Sequence, residues 1–466
     1  MNQPAPKVSV IRMYEARAEI YPRESRGWFA NWRWLCVWLT QLVFYGLPWL
    51  SWNGRQAVLF DLAARKFYIF GLVLWPQDFI YLALLLIICA YALFLFTAIA
   101  GRLWCGYACP QTVYTEIFMW IERRIEGDRS ARMRLDRQPW GADKLARKSC
   151  KHLAWLLVAL WTGFTFVGYF TPVDALGSAA LSFSLGPWEW FWVLFYGFAT
   201  YGNAGWMREQ VCKYMCPYAR FQSAMFDRDT LTVTYDKDRG DPRGARRKDA
   251  AASADKLGDC IDCRMCVQVC PTGIDIRDGL QYDCIGCAAC IDACDSVMDK
   301  IGSPRGLVRY ATENAMRNKL TPSQMRRRAL RPRVLVYGMI LLAIVAGVLG
   351  SLATRTNLKV DVIRDRGSMG REVEDGMIEN VYRLQIMNTD ERPHRYRISV
   401  NGVDSIAMAS GDQVALPATA SRAVPVRVRI DHGKGEKGSN KITFTVRALD
   451  EDDLAVTEKA VFIVPR

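Results

Sequence analysis

Long apolar runs alternate with charged segments along the first three-quarters of the chain. Five of these runs approach the roughly 20 apolar residues that a helix needs to cross a bilayer. They predict membrane spans at 32–50, 79–100, 153–170, 188–206 and 334–352. The run at 188–206 is rich in Trp and Tyr, as is typical of a membrane interface. The alternative for any one run is a helix buried in a protein core.

The pattern changes after residue 356, where apolar and polar residues alternate with a period of two. Such runs cover 358–362, 382–386, 396–400, 424–430 and 442–446, with turn-rich segments between them. Period-two runs of this kind predict an antiparallel β-sandwich with an immunoglobulin-like fold. The sandwich contains no cysteine, and nothing in it resembles a catalytic site. We interpret it as a binding or scaffolding module.

Charge decides the orientation of the predicted spans. Lys and Arg number 11 in the loop 101–152 and 23 in the segment 207–333, but the loop 172–187 has none. Because positively charged loops stay in the cytoplasm, we expect the N-terminus and both basic segments inside and the C-terminal domain in the periplasm. The predicted location is therefore the cell inner membrane, crossed several times. We expect Arg246, Arg247 and Lys248 to hold the insert against anionic headgroups.

The composition fits this membrane interpretation. The chain is 51% hydrophobic and 23% charged, with a net charge of +14. The positive charge clusters beside apolar segments, so we expect the bilayer, and no nucleic acid, as its partner. Residues 1–30 lack an apolar core, and we expect no cleavable signal peptide there.

Eight cysteines form two runs with ferredoxin spacing. Residues 260–271 read CIDCRMCVQVCP, the C-x2-C-x2-C-x3-C-P run of bacterial ferredoxins, and 284–294 read CIGCAACIDAC. In two-cluster ferredoxins the fourth cysteine of each run binds the other cluster. We therefore predict two 4Fe–4S clusters, one held by Cys260, Cys263, Cys266 and Cys294, and one by Cys284, Cys287, Cys290 and Cys270. Asp295 replaces the proline that follows the first run. The alternative is a pair of zinc knuckles, which usually use two C-x2-C pairs.

A second pair of motifs repeats the pattern C-x-Y-x-C-P. It reads CGYACP at 105–110 and CKYMCP at 212–217, each after a predicted span. If these turns are helical, cysteines four residues apart share a helix face about 5–6 Å apart, more than the ~3.8 Å of a disulfide. We predict that Cys105, Cys109, Cys212 and Cys216 form one metal or cofactor site at the cytoplasmic membrane surface. The alternatives are a further redox cofactor, or cysteines that only pack.

The remaining cysteines and the histidines restrict the chemistry further. Cys36, Cys89 and Cys150 have no partner at ligand spacing, and we interpret them as apolar or surface residues. Among the histidines, His152 alone lies near the membrane region. A haem held inside the membrane by two histidines of this chain is therefore excluded.

These motifs together resemble the cytochrome c oxidase accessory proteins of the CcoG/FixG type. The resemblance rests on the paired C-x-Y-x-C-P motifs, the dicluster insert, the single span after it, the β-sandwich tail and the segment IYPRESRGWF at 20–29. It implies a role in assembling cbb-type cytochrome oxidase and in reducing Cu(II) to Cu(I). The implied partners are a cytosolic electron donor, copper, and oxidase subunits or copper chaperones.

The residues agree with this implied role. Cu(I) prefers soft thiolate ligands, and reduction of Cu(II) takes the single electron that an iron–sulfur cluster delivers. On this interpretation copper is reduced at Cys105, Cys109, Cys212 and Cys216. Two other functions stay open: a non-enzymatic assembly scaffold or redox sensor, and quinol-linked electron transfer to a periplasmic partner.

The predicted organisation is multidomain. It comprises a cytoplasmic N-terminal segment (1–31), a four-span membrane domain (32–217), a cytoplasmic dicluster ferredoxin domain (218–333), a fifth span (334–352) and a periplasmic β-sandwich (357–466).

Overall fold

The computed structural model describes residues 19–245, 257–365, 367, 370–451 and 453–465. Most of the predicted N-terminal segment, and the basic residues Arg246, Arg247 and Lys248, lie outside the described residues. The chain forms two compact units. The first contains the described residues up to Leu47, Ile87–Gly168 and Asp174–Leu341, and the second contains Pro48–Leu86, Tyr169–Val173 and the chain from Leu342 onward.

Helices dominate the first unit. The α-helices of the chain are α1 (Trp28–Gly46), α2 (Phe79–Ala100), α3 (Leu103–Tyr107), α4 (Pro110–Glu126), α5 (Arg129–Arg137), α6 (Ala142–Val167), α7 (Val173–Leu181), α8 (Pro187–Thr200), α9 (Pro217–Met225), α10 (Lys237–Gly240), α11 (Met265–Gln268), α12 (Ala289–Ile301), α13 (Glu313–Arg317), α14 (Pro322–Ala329) and α15 (Pro332–Ala353). Tyr201–Met207 and Val211–Met215 are π-helical.

Strands dominate the second unit. The strands of the chain are β1 (Ser51–Trp52), β2 (Arg55–Gln56), β3 (Val58–Asp61), β4 (Lys66–Ile69), β5 (Leu72–Leu74), β6 (Thr232–Tyr235), β7 (Val308–Ala311), β8 (Leu358–Arg364), β9 (Arg371–Glu372), β10 (Ile378–Asn388), β11 (His394–Asn401), β12 (Ala407–Met408), β13 (Gln413–Leu416), β14 (Ser421–Ile430), β15 (Gly438–Ala448) and β16 (Ala455–Val464).

Three helices among the described residues are long and apolar enough to cross a membrane: Pro76–Ala100, Ala142–Val167 and Pro332–Ala353. Protein buries 0% of the most apolar part of the first and 6% of that of the third. A helix that is apolar on all sides and uncovered by protein requires an apolar surrounding, as in a bilayer. The predicted spans at 32–50 and 188–206 correspond to α1 and to the shorter α8. Neither helix is both long enough and apolar enough to be counted among the three, and these two spans stay predictions.

The C-terminal part of the second unit is a two-sheet sandwich, which confirms the predicted fold. One sheet has the order β12-β14-β10-β8 with β9 paired to β10, and the other has the order β13-β11-β15-β16. Burial alternates strictly along β11, as expected when one face packs on a core. Tyr382 and Phe444, both fully buried, meet edge to face in that core.

Short strands precede the sandwich in the chain and belong to the same unit. β3, β4 and β5 form an antiparallel meander, and its buried residues Leu59, Tyr68 and Val73 pack with Met387 of β10. The loop 52–78 therefore adds to the core of the C-terminal domain.

A buried charge network joins α4, α5 and α6 in the first unit. The Glu122 carboxylate forms ion pairs with Arg132 at 2.7 Å, Arg208 at 3.1 Å and Lys151 at 3.6 Å. Burial alone would raise the pKa of Glu122, but these three cations lower it below its ordinary value. The native fold therefore holds this carboxyl group in its charged form.

Candidate metal centres

The eight ferredoxin-type cysteines lie between β6 and β7, whose antiparallel pairing closes the insert at its base. Tight loops carry them. Asp262, Arg264 and Ala288 adopt left-handed backbone conformations, with φ of 53°, 55° and 59°. These conformations turn the chain within one or two residues, which lets successive cysteines of a run face one centre.

The first predicted ligand set lines one cavity. It consists of Cys260, Cys263, Cys266 and Cys294. The charges of Cys260 and Cys266 both act on Cys294, so this cysteine of the other run lies near them. Burial raises the pKa of Cys266 to about 11 and that of Cys294 to about 12. These thiols therefore keep their protons at neutral pH until a metal displaces them.

The second predicted set lines a neighbouring cavity. It consists of Cys270, Cys284, Cys287 and Cys290, and Cys266 also touches this cavity. In each cavity four soft sulfur donors stand beside mainly apolar walls, which is the donor set of a 4Fe–4S cluster. The residues therefore fit the cofactor. The ligand assignment stays a prediction, and the grouping of the thiols supports it.

The second cysteine run also docks on α1. Asp292, which is buried, accepts hydrogen bonds from the backbone N–H groups of Phe29 at 3.2 Å and Ala30 at 2.7 Å. The first N–H groups of a helix lack partners within the helix and favour a negative charge. The Arg33 side chain donates to the carbonyl of Cys287 at 2.7 Å. The first turns of α1 thus hold the loop of the second set.

The C-x-Y-x-C-P motifs are not single helical turns. α3 carries Cys105 and ends at Tyr107, and Cys109 is the extended N-cap of α4, which begins at Pro110. The condition under which Cys105 and Cys109 would share one helix face is therefore not met. Proline disfavours helical backbone in the residue before it, so one helix ends and the next begins between the two cysteines. Cys216 is likewise the extended N-cap of α9.

The structure nevertheless brings the two motifs together. Cys105, Cys109 and Cys216 all lie near enough for their charges to act on Cys212. We call Cys105, Cys109, Cys212 and Cys216 the four-thiol site. Burial above all raises the pKa of Cys105 to about 11 and that of Cys212 to about 12. The fully buried Gln222 side chain donates a hydrogen bond to the Cys105 sulfur at 3.2 Å.

The four-thiol site packs directly against the loop of the second ligand set. A Cβ atom on Gly106 would lie 2.7 Å from the Cα atom and 2.8 Å from the nitrogen of Cys287. Arg102, which is buried, donates to the carbonyls of Tyr282 and, at 2.6 Å, Ala219. Backbone therefore meets backbone at Gly106, between the two sites.

A cavity adjoins both sites, since Cys212 and Cys287 both line it. Glu209 also lines this cavity and is 8% exposed. Its carboxylate accepts a hydrogen bond from the Gln210 side chain at 3.0 Å and forms no ion pair with any described residue. The cavity wall therefore contains a buried carboxyl group.

Sequence reasoning did not identify Arg102, Gly106, Glu209 or Asp292. Gly106 and Asp292 occupy variable positions inside the cysteine motifs, and position within a motif is the one signal that points to them. The roles of Arg102 and Glu209 depend only on their contacts in the folded protein. Among the remaining cysteines, Cys89 and Cys150 are exposed.

Comparison with known proteins finds three family models that match parts of the chain. Residues 207–313 match a 4Fe–4S dicluster domain, 82–127 a 4Fe–4S binding domain, and 348–465 the immunoglobulin-like fold at the C-terminus of FixG. The chain is 38% identical to the nitrogen fixation protein FixG of Rhizobium meliloti, over 94% of this chain and 91% of that protein. It is 39% identical to protein RdxB of Cereibacter sphaeroides, over 96% of each chain.

Proposed function

This chain belongs to the FixG family of membrane iron–sulfur electron-transfer proteins, and on that premise we propose that it reduces Cu(II) to Cu(I) in support of cbb-type cytochrome c oxidase assembly. The observation that carries the proposal is the contact between Gly106 of the four-thiol site and Cys287. It brings thiols, the ligands that Cu(I) prefers, against the cysteines predicted to hold the second cluster.

The electron balance is simple. Each Cu(II) ion takes up one electron, and a cytosolic donor is oxidised by one electron for each ion reduced. The bound clusters supply single-electron transfer. Of the eight predicted cluster ligands Cys263 alone is exposed, so we propose that the donor docks beside it. Copper is then reduced at the four-thiol site and passed to oxidase subunits or copper chaperones.

Copper turnover by the purified chain tests this function. The double variant Cys105→Ala/Cys212→Ala is compared with Cys150→Ala, which changes an exposed cysteine outside the site. We expect the double variant to lose Cu(II) reduction and bound copper while both dicluster signals persist in electron paramagnetic resonance. Reduction at the wild-type rate in the double variant would place the reaction elsewhere. No reduction by the wild type would favour the scaffold or redox-sensor function.

Quinol oxidation is a second candidate, favoured by the cavity beside Cys212 and Cys287. A quinol gives up two protons with its two electrons, and Glu209 is a buried carboxylate in the cavity wall that could accept one of them. Glu209→Gln keeps the shape and removes the proton acceptor. If quinol is the donor, quinol-dependent reduction of the clusters slows in this variant, whereas reduction by dithionite stays unchanged. Equal quinol rates in both proteins would reject this candidate.

A further inference from the structure

We infer that the four-thiol site holds a third iron–sulfur cluster of the 4Fe–4S type. This inference concerns what the four thiols bind, and it holds whether or not copper is the final electron acceptor. The four thiols are then ligands of iron, which replaces the part of the proposed function in which they bind copper, and copper receives its electron at the edge of the bound cluster.

The spacing of the sulfur atoms is the first reason. A single ion with bonds of about 2.3 Å to sulfur requires its ligand atoms to lie within about 4.6 Å of one another. Among the described residues, one group of three or more His, Cys, Asp or Glu side chains has all its ligand atoms within 4.8 Å of one another. It consists of Asp390, His394 and Glu451 in the second unit. No three thiols of the four-thiol site meet this limit, so the site is too open for one ion held by three or four of them.

The eight ferredoxin-type cysteines share this open spacing. They too form no group within 4.8 Å, although charge interactions link the members of each predicted set, as they link the thiols of the four-thiol site. Cysteines that surround a cubane are held apart by the iron–sulfur core, whereas cysteines that bind one ion converge on it. The four-thiol site therefore resembles the two dicluster sites in the arrangement of its donors.

The surroundings suit a negatively charged cluster. Cys109 and Cys216 stand at the N-termini of α4 and α9, helices of 17 and 9 residues whose positive ends face them. The buried Arg102 acts on both Cys105 and Cys212. The N–H···S hydrogen bond from Gln222 to Cys105 is of the kind that tunes iron–sulfur clusters.

A cluster at the four-thiol site also explains why residues 82–127 match a 4Fe–4S binding domain. This segment contains Cys105 and Cys109, and its third cysteine, Cys89, is an exposed residue of α2, away from both ends of the helix. Two cysteines cannot complete a cubane. The fold supplies Cys212 and Cys216 from the second motif, and the repeat therefore makes one cluster site from two half-sites.

Iron counting tests the inference without any measurement of activity. We expect about twelve iron atoms and twelve acid-labile sulfides per anaerobically reconstituted full-length chain, against about eight if only the dicluster set is loaded. Cys105→Ser/Cys212→Ser should lose about four irons and keep the dicluster signals. Cys150→Ser should keep all twelve.

Eight irons in the wild type, with one copper or zinc ion bound by the four-thiol site, would overturn the inference. If the double variant does not fold, the wild-type count decides alone, because eight and twelve are well separated. Twelve irons without any copper reduction would keep the third cluster and reject the proposed function. Eight irons with copper reduction would keep the proposed function and reject the third cluster.

Discussion

The contact between Gly106 and Cys287 gives a prediction that can be worked out in detail. Gly106 lies in α3, and alanine is more favourable than glycine inside a helix by about 0.5–1 kcal/mol. Propensity alone therefore predicts that Gly106→Ala stabilises the protein. The new methyl group, however, would lie 2.7 Å from the Cys287 Cα atom and 2.9 Å from the carbonyl carbon of Gly286.

The steric cost of the new methyl group exceeds the gain in helix propensity. The atoms that the methyl group meets belong to the backbone, so no side chain can rotate away to make room. Overpacking of a well-packed core costs about 1–3 kcal/mol. We therefore expect a net loss of stability of about 1–2 kcal/mol, together with displacement of the loop that carries Cys287.

Gly177→Ala is the matched control. Gly177 lies in α7, and nothing stands within 4 Å of the Cβ atom it would gain. Heating in detergent, followed by the visible absorption of the iron–sulfur chromophore, should show a lower transition temperature for Gly106→Ala and an equal or higher one for Gly177→Ala. If both variants shift in the same direction, the close contact between the two loops does not exist in solution.

Three further predictions follow from the ligand sets, the orientation and the charge network. Cys263→Ser and Cys287→Ser each remove a ligand from a different predicted cluster, so each should lower the iron content by about four per chain, and an unchanged count would contradict the assignment. Reporter fusions at Gly240 and Gly433 should report opposite sides of the membrane, and reports from the same side would mean that the number of spans is wrong by one. Glu122→Gln leaves Arg132 and Arg208 without their carboxylate, whereas Lys151 keeps Glu126 at 2.9 Å, and the loss should cost about 3–5 kcal/mol, measured as a lower transition temperature. Because the native pKa of this carboxyl group is lowered, its stabilisation is present above the ordinary value of 4.5 and lost as the pH falls through the native pKa, so wild type and variant should converge in acid.

Sequence reasoning is strongest where chemistry depends on short spacings. The runs beginning at Cys260 and Cys284 predict two sets of four thiols, and the structure groups the same thiols around two cavities. The period-two tail predicts the sandwich because each strand must present one face to a core. Both inferences need only local geometry and one general rule.

Contacts between distant parts of the chain escape such reasoning. The carboxylate of Asp292 meets the backbone of Ala30, 262 residues earlier, and no local pattern indicates that pairing. The strands β1 to β5 are two to four residues long, too short for a period of two to be recognised. The proline at position 110 predicts a break in the helix. The positions of Cys105 and Cys109 after that break depend on tertiary packing.

The bond between Asp292 and the start of α1 has a consequence for biosynthesis. A ribosome adds Ala30, in the first turn of α1, 262 residues before it adds Asp292. The N–H groups of this turn therefore lack their acceptor while the intervening chain is made. The acceptor lies within the second cysteine run, and it reaches its place only when that loop has folded. Folding of the second cysteine run and completion of these hydrogen bonds at the start of α1 therefore occur together, after most of the chain has been synthesised.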